Sequence, residues 1–278
     1  MDRKRRGAAL LVGAVALLVV TMGVSAALAP DAAVAGTDGE RQTLVGVQGG
    51  GAGWHQYGSV AMYEGSDVAW RMDDTDSYFD VTRLDNGSVM AGFMDGGYED
   101  CGPYESPCTK TGFRILDPET ETIEYEYAFP VRSSSNSEVH DVEQLGGGEY
   151  LLSDMEHEGL RIVENGEVVW RWNASSYYEA PEDQTRVDWL HINDVDVVGD
   201  GQFLVSVRNA NQILVVERGE GVIETINADA GGPDSSCTSG GQLSDQDGDG
   251  DVRCGDPAVI NHQHNPQWLG GDPAGDGE

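Results

Sequence analysis

Asp80-Val-Thr-Arg-Leu-Asp-Asn-Gly87, Asp141-Val-Glu-Gln-Leu-Gly-Gly-Gly148 and Asp194-Val-Asp-Val-Val-Gly-Asp-Gly201 share one frame, an aspartate followed seven residues later by a glycine. Each glycine is followed by an apolar strand (Ser88–Ala91, Glu149–Leu152, Gln202–Ser206). A third strand comes next (Phe113–Leu116, Leu160–Val163, Gln212–Val216), and then a fourth (Ile123–Tyr127, Val168–Trp172, Val222–Ile226). The joins carry Asn-Gly, Gly-Gly and Asp-Gly, which tolerate the positive φ of tight hairpin turns, so each unit reads as a four-stranded antiparallel meander. The repeat region shows no helical period.

Outward from these units, Val60–Tyr63 and Val68–Met72 supply two strands of an earlier unit, and Asn261–Leu269 opens a later one. Four-stranded units of roughly 40 to 50 residues, stacked by repetition, are the mark of a β-propeller, whose blades bury their faces against neighbours. A β-sandwich can also use such meanders; the common register of the first strands favours radial repetition. The expected architecture is all-β, with residues 42–278 forming about four to five blades of an incomplete propeller. The chain ends at Glu278, where the next strand is due, as a truncated reading frame would.

Residues 1–35 read differently. The basic start Arg3-Lys-Arg-Arg6 precedes the uncharged apolar run 8–29, with small residues around Ala27-Leu-Ala29. This apolar helix fits either a cleavable signal peptide or an uncleaved membrane anchor, and both place the rest of the chain outside the cytoplasm. Four of the 16 basic residues and one of the 49 acids lie in the first six positions, leaving 12 basic and 48 acidic residues, a balance near −36. So acidic a surface repels itself in dilute salt and fits a halophilic setting, where counterions screen it. It also excludes nucleic acid, whose phosphates carry the same sign. Disorder is excluded by six Trp, ten Tyr and ordered Val/Ile runs. The four cysteines of an exported chain point to disulfides, and sequence proximity pairs Cys101 with Cys108 and Cys237 with Cys254.

In a propeller the first strand of each blade is innermost, so its start faces the central channel. Those starts are rich in histidine: His140 precedes Asp141, His191 lies just before Asn193-Asp194, and His262 and His264 open the next unit. A turn histidine bonded to local backbone explains any one of them, but not their recurrence in one register. The runs His140-Asp-Val-Glu-Gln-Leu145, Trp189-Leu-His191-Ile-Asn193-Asp194, Leu204-Val-Ser206-Val-Arg208-Asn209 and Gln263-His264-Asn-Pro266 resemble the arylsulfotransferase family over roughly residues 42–270.

That resemblance implies a six-bladed propeller that moves a sulfuryl group from a phenolic sulfate ester to a phenol, without a nucleotide donor or any required cofactor. It implies His264 as the nucleophile, carried through a sulfohistidine. His140, His191 and Arg208 would bind the sulfuryl oxygens or assist the leaving phenol, and Asn193, Asn209 and His262 would border the substrate. Imidazoles suit nucleophilic and proton-transfer work near neutral pH, and an arginine offers a permanent forked charge to the peripheral oxygens. His262 also competes for the nucleophile's place, though it follows no glutamine. His157 reads as a loop residue, and His55 matches no motif. The rival function is a non-catalytic extracytoplasmic propeller that binds a ligand or protein. A quinone-dependent dehydrogenase ranks third, its tryptophan repeats only faintly echoed.

The segment Asn227–Val259 separates two units. Within it Asp245, Asp247, Asp249 and Asp251, with Asp256 at the twelfth position, match the oxygen-ligand spacing of a calcium loop, which makes a structural calcium a candidate. No helices flank it, and acidic runs are common in this composition. Asn86-Gly-Ser88 and Asn173-Ala-Ser175 are glycosylation sequons.

Overall fold

The computed structural model describes residues 41–49, 57–228, 238–239, 242–243, 254–255 and 258–269. The chain divides into two compact units, Met1–Arg41 and Gln42–Glu278. The expected apolar helix, His55, Cys237 and the whole aspartate set 245–256 lie outside the described residues.

The second unit is all-β. Its first sheet holds β1 (Gln42–Val47), β2 (Ser59–Glu64) and β3 (Asp67–Met72). Three four-stranded sheets follow: β4 (Ser77–Arg83) to β7 (Thr122–Val131) through β5 (Val89–Tyr98) and β6 (Cys108–Asp117), then β8 (Val142–Gly146) to β11 (Glu167–Asn173) through β9 (Glu149–Asp154) and β10 (Gly159–Glu164), then β12 (Ile192–Gly199) to β15 (Gly221–Ile226) through β13 (Gln202–Val207) and β14 (Gln212–Glu217). Each sheet is an antiparallel meander in sequence order, which makes the fold propeller-like. A two-residue ribbon, β16 (Thr238–Ser239) with β17 (Gln242–Leu243), completes the described strands.

The hairpins turn where the glycines stand. Gly87 and Gly201 hold φ of +93° and +71°; no atom lies within 4 Å of a Cβ built on Gly87, so backbone conformation and not space requires glycine there. Cys101 and Cys108 form a disulfide that closes the loop between β5 and β6, with Cα atoms 5.7 Å apart. Asn261–Leu269, expected to open another strand, contains none: it is irregular, its ladder interrupted by Pro266, which has no N–H to donate.

The interior lies between sheets. Val60, Trp70 and Phe93 fill the core shared by the first two sheets, Phe113, Val142 and Leu152 that of the second and third, and Trp172, Ile192 and Phe203 that of the third and fourth. Middle strands are therefore covered on both faces, as in β10, where five of six residues are buried. The outer strand β11 alternates with solvent. Two middle-strand arginines recur in this setting: Arg114 stacks 3.9 Å from the Phe93 ring and Arg161 3.7 Å from that of Phe129, each also paired with an acid.

The aspartate of the repeat stitches the inner strands together. Asp141 Oδ2 accepts the N–H of Val195 on the next sheet at 2.7 Å, and Asp80 accepts that of Val142 in the same way. The carboxyls also meet one another, Asp80 bonding Asp141 and Asp141 bonding Asp194. Burial, and then neighbouring acids, push Asp80 and Asp194 up to about 7 and Asp141 well above the carboxylate range.

Candidate active site

His140 and His191 occupy equivalent places, just before the inner strands β8 and β12 of successive sheets. Backbone bonds on either side hold His140: the Val139 N–H donates to Thr111 Oγ1 at 2.9 Å and the Asp141 N–H to Ser153 Oγ at 3.1 Å. Its ring stands 5.6 Å from that of His191, 6.0 Å from that of His264 and 5.4 Å from that of Phe79, centroid to centroid. The three imidazoles that the sequence marks thus converge on one point.

His191 sits in a left-handed conformation, φ +56°. Its Nδ1 lies 2.8 and 2.9 Å from the two carboxylate oxygens of Asp188, which assigns the proton to Nδ1 and leaves Nε2 for the site. Asn209 braces the same loop: its N–H donates to Leu190 O at 2.8 Å and its Nδ2 to Asp188 O at 3.1 Å. Glu158, fully buried, accepts the N–H groups of Leu190, His191 and Ile192. Burial pushes its carboxyl up to about 8 against the pull of those donors.

His264 belongs to the irregular segment 258–269 and is exposed. Gln263 anchors it, donating from Nε2 to Gln212 O at 2.7 Å and accepting at its backbone carbonyl from Asn193 Nδ2 at 3.2 Å. Trp268 N–H, donating to Asp196 Oδ2 at 2.6 Å, ties down the far end. Asn193, expected beside the substrate, has no exposed surface. Its Nδ2 holds the Gln263 carbonyl, next to His264. Asn209 likewise uses its amide on the Asp188 carbonyl. His262 points its Nδ1 at Asn261 Oδ1, 2.8 Å away, in an exposed turn. His157, the expected loop residue, stands in the β9–β10 turn with Nδ1 3.1 Å from Asp154 Oδ1.

Arg208 opens a 3-10 turn, Arg208–Ala210, directly after β13. It forms no ion pair with any described carboxylate, yet its charge reaches both His140 and His264. Burial first, and then the positive neighbours His191, His264 and Arg208, lower His140 to about 3. Partial desolvation of its ring, and then His191 and Arg208, lower His264 as well. Both rings are thereby kept neutral near pH 7, with lone pairs available. Among the described residues no cluster of three or more His, Cys, Asp or Glu suits a metal ion. An open cavity of about 450 Å³ is lined by Phe79 and Met94 on its apolar side and by Ser77, Asn136 and Glu138 among its polar groups; neither the three imidazoles nor Arg208 lines it, and Phe79, whose ring meets that of His140, joins the two. Its size admits a molecule larger than one aromatic ring, and its mixed wall offers both apolar contact and hydrogen bonds.

Residues 63–272 match the family model described as Arylsulfotransferase (ASST). The chain belongs to the arylsulfotransferase family. The matched span contains all three converging imidazoles and Arg208. No curated protein matches the chain. Among solved structures, a protein of unknown function from Bacteroides caccae is similar at 10% identity and TM-score 0.42, over 61% of this chain and 54% of that one. BBS1N in complex with ARL6DN, soaked with lead, is similar at 10% identity and TM-score 0.31, over 66% and 54%. The chain thus spans about half the length of either structure.

Asp188 and Glu158 escaped the sequence reading. Asp188 carries one usable signal, an acid three residues before a histidine. Glu158 carries only the oddity of a glutamate where a left-handed turn asks for glycine or asparagine.

Proposed function

We propose that this arylsulfotransferase-family protein transfers a sulfuryl group from an aryl sulfate ester to a phenol through a sulfohistidine on His264. The convergence of His140, His191 and His264 beneath the charge of Arg208 is the observation that carries the proposal. In the first half-reaction His191 enters doubly protonated, its Nδ1–H held by Asp188; a lone pair of neutral His264 attacks sulfur, the S–O(aryl) bond breaks, and the departing phenoxide takes the Nε2 proton of His191, leaving it neutral for the next step. In the second, the acceptor phenol loses its proton to His191, its oxygen attacks sulfur and the N–S bond breaks. Arg208 holds the peripheral oxygens, where negative charge is greatest, as a fixed donor does in phosphoryl transfer. His140, kept neutral by its surroundings, serves as a hydrogen-bonding partner for the same oxygens. No cofactor is needed for either step.

The phenol ring and the ester's aryl group would use the Phe79–Met94 side of the cavity. The remaining expectations extend the proposal: a six-bladed propeller, a halophilic, extracytoplasmic setting with an N-terminal signal or membrane anchor, and structural calcium in the 245–256 loop. The Cys101–Cys108 disulfide supports an oxidising compartment.

Incubation with para-nitrophenyl sulfate and a phenol in molar salt tests the chemistry. Nitrophenol release that His264→Asn lowers by at least about a thousandfold, with a sulfated histidine found by mass spectrometry, supports it. Release indifferent to His264→Asn refutes the nucleophile.

A further inference from the structure

Two non-glycine residues with left-handed backbone meet at this site. Glu158 closes the β9–β10 turn at φ +48°, and His191 enters β12 at φ +56°. A Cβ strains this conformation, so the surroundings must hold it in place.

The chain around Glu158 is fixed first. Its N–H donates to Met155 O at 3.3 Å, and its carbonyl accepts from Ala174 N–H at 2.9 Å. The side chain then crosses to the next sheet. Oε1 accepts from Leu190 N–H at 3.1 Å and His191 N–H at 2.8 Å, while Oε2 accepts from Ile192 N–H at 2.9 Å. Passing through the left-handed region at His191 aims three consecutive amides at one point, the concave arrangement that backbone offers to anions. Here a carboxylate of the neighbouring sheet fills it, with no exposed surface of its own.

We infer that Glu158 is a positioning residue: its carboxylate, seated on the Leu190–Ile192 amides, sets the backbone of His191 and so aims that imidazole at His140 and His264. The link from backbone to chemistry rests on the sulfuryl transfer proposed above, whereas the brace itself does not. Asp188 and Glu158 divide the task, one orienting the ring and the other the main chain.

Above about pH 8, where the Glu158 carboxyl is ionised, near-isosteric Glu158→Gln is the informative change. Its carbonyl keeps the Leu190 and His191 bonds, but its amide faces the Ile192 N–H donor to donor. Residue-resolved hydrogen exchange should show Ile192 exchanging at least tenfold faster, with the amides of β13 unchanged within twofold. Nitrophenol release from para-nitrophenyl sulfate should lose tenfold or more in kcat at nearly constant KM. Glu158→Asp, one methylene short, should move both readouts the same way, and decides the matter if the glutamine variant does not fold. Asp188→Asn should lower kcat while leaving exchange at residues 190–192 as in the wild type.

Unaltered exchange at Ile192, acceleration spread evenly through β13, or faster Ile192 exchange with kcat untouched would each overturn the inference. A wild-type protein that releases no nitrophenol removes the sulfuryl-transfer proposal instead; exchange at Ile192 then decides the brace alone.

Discussion

Asp141 joins two sheets through a single atom, its Oδ2 accepting the Val195 N–H at 2.7 Å while its carboxyl also meets those of Asp80 and Asp194. Protons shared along this row lower its charge, and the raised acids define a pH window. Asp80 and Asp194 titrate near 7 when folded, and about 3.9 is normal for an unfolded aspartate. The folded state therefore binds more protons between those values, so its stability is fullest below about 4 and is lost as pH rises through about 7. Glu143, raised to about 7 by burial and by Asp80 and Asp196, adds to the same slope. His140 and His264 act oppositely, costing stability as pH falls below 6.5, but they are two groups against several. Denaturant unfolding at pH 5 and pH 8 should show the higher stability at pH 5. Asp141→Asn, which keeps an acceptor for Val195, should flatten the difference and be the more stable variant at pH 8 by on the order of 1 kcal/mol. An equal slope in both proteins would assign the effect to general charge repulsion.

Arg208→Gln should reduce kcat/KM on the order of a hundredfold, the usual loss when one fixed donor to developing charge is removed. It should also shift the acid limb of the pH–rate profile. Neutral His264 is the attacking form, so activity rises with pH through a value below the ordinary 6.5 of imidazole. Removing the guanidinium relieves one cause of that depression, and the limb should move to higher pH.

The Cys101–Cys108 bridge closes a short loop, seven residues in separation. Replacing both cysteines by serine should cost about 2 kcal/mol in denaturant unfolding, the loop-closure contribution for a ring of this size. Nitrophenol release should be retained, because the loop lies at the β5–β6 end and touches none of the three imidazoles.

Gly112 in β6 faces the backbone of Tyr127 on β7; a Cβ there would fall against that residue's carbonyl oxygen and carbon. Backbone cannot step aside as a flexible side chain can. Gly112→Ala should therefore lower the unfolding free energy by about 2 kcal/mol or more, a large effect for one methyl group, measurable as a drop in denaturation midpoint.

The legible part of this protein is the part that repeats. Asp80, Asp141 and Asp194 recur because each carboxyl spans to an inner strand or to its neighbour's carboxyl, so sequence periodicity and sheet periodicity coincide. His140 and His191 share that register, and their convergence follows from it. β1 was not legible: Gln42–Val47 lies outside the repeated frame, and the eleven residues that part it from Ser59–Glu64 are too many for the tight turns that mark the other hairpins. Asn261–Leu269 was expected to open a later unit of the repeat, yet its bonds run from Gln263 and Trp268 to side chains and carbonyls of other segments. Glu158 and Asp188 stayed hidden for different reasons: the first acts across 33 residues of chain, the second through a spacing that unpaired acids also show in so acidic a composition.

Because the apolar interior is split into three cores, with Trp70 in the first and Trp172 in the third, the molecule is organised as a row of coupled partners. A truncated side chain such as Leu152→Ala reaches only the two sheets that touch it. Melting can start at either end of the row and advance sheet by sheet, and the tryptophans at opposite ends would then dim at different denaturant concentrations. The segment that carries His264 is tied to the last described sheet through Gln263 and Trp268, so catalytic competence would vanish early in such a progression, while most of the protein still stands.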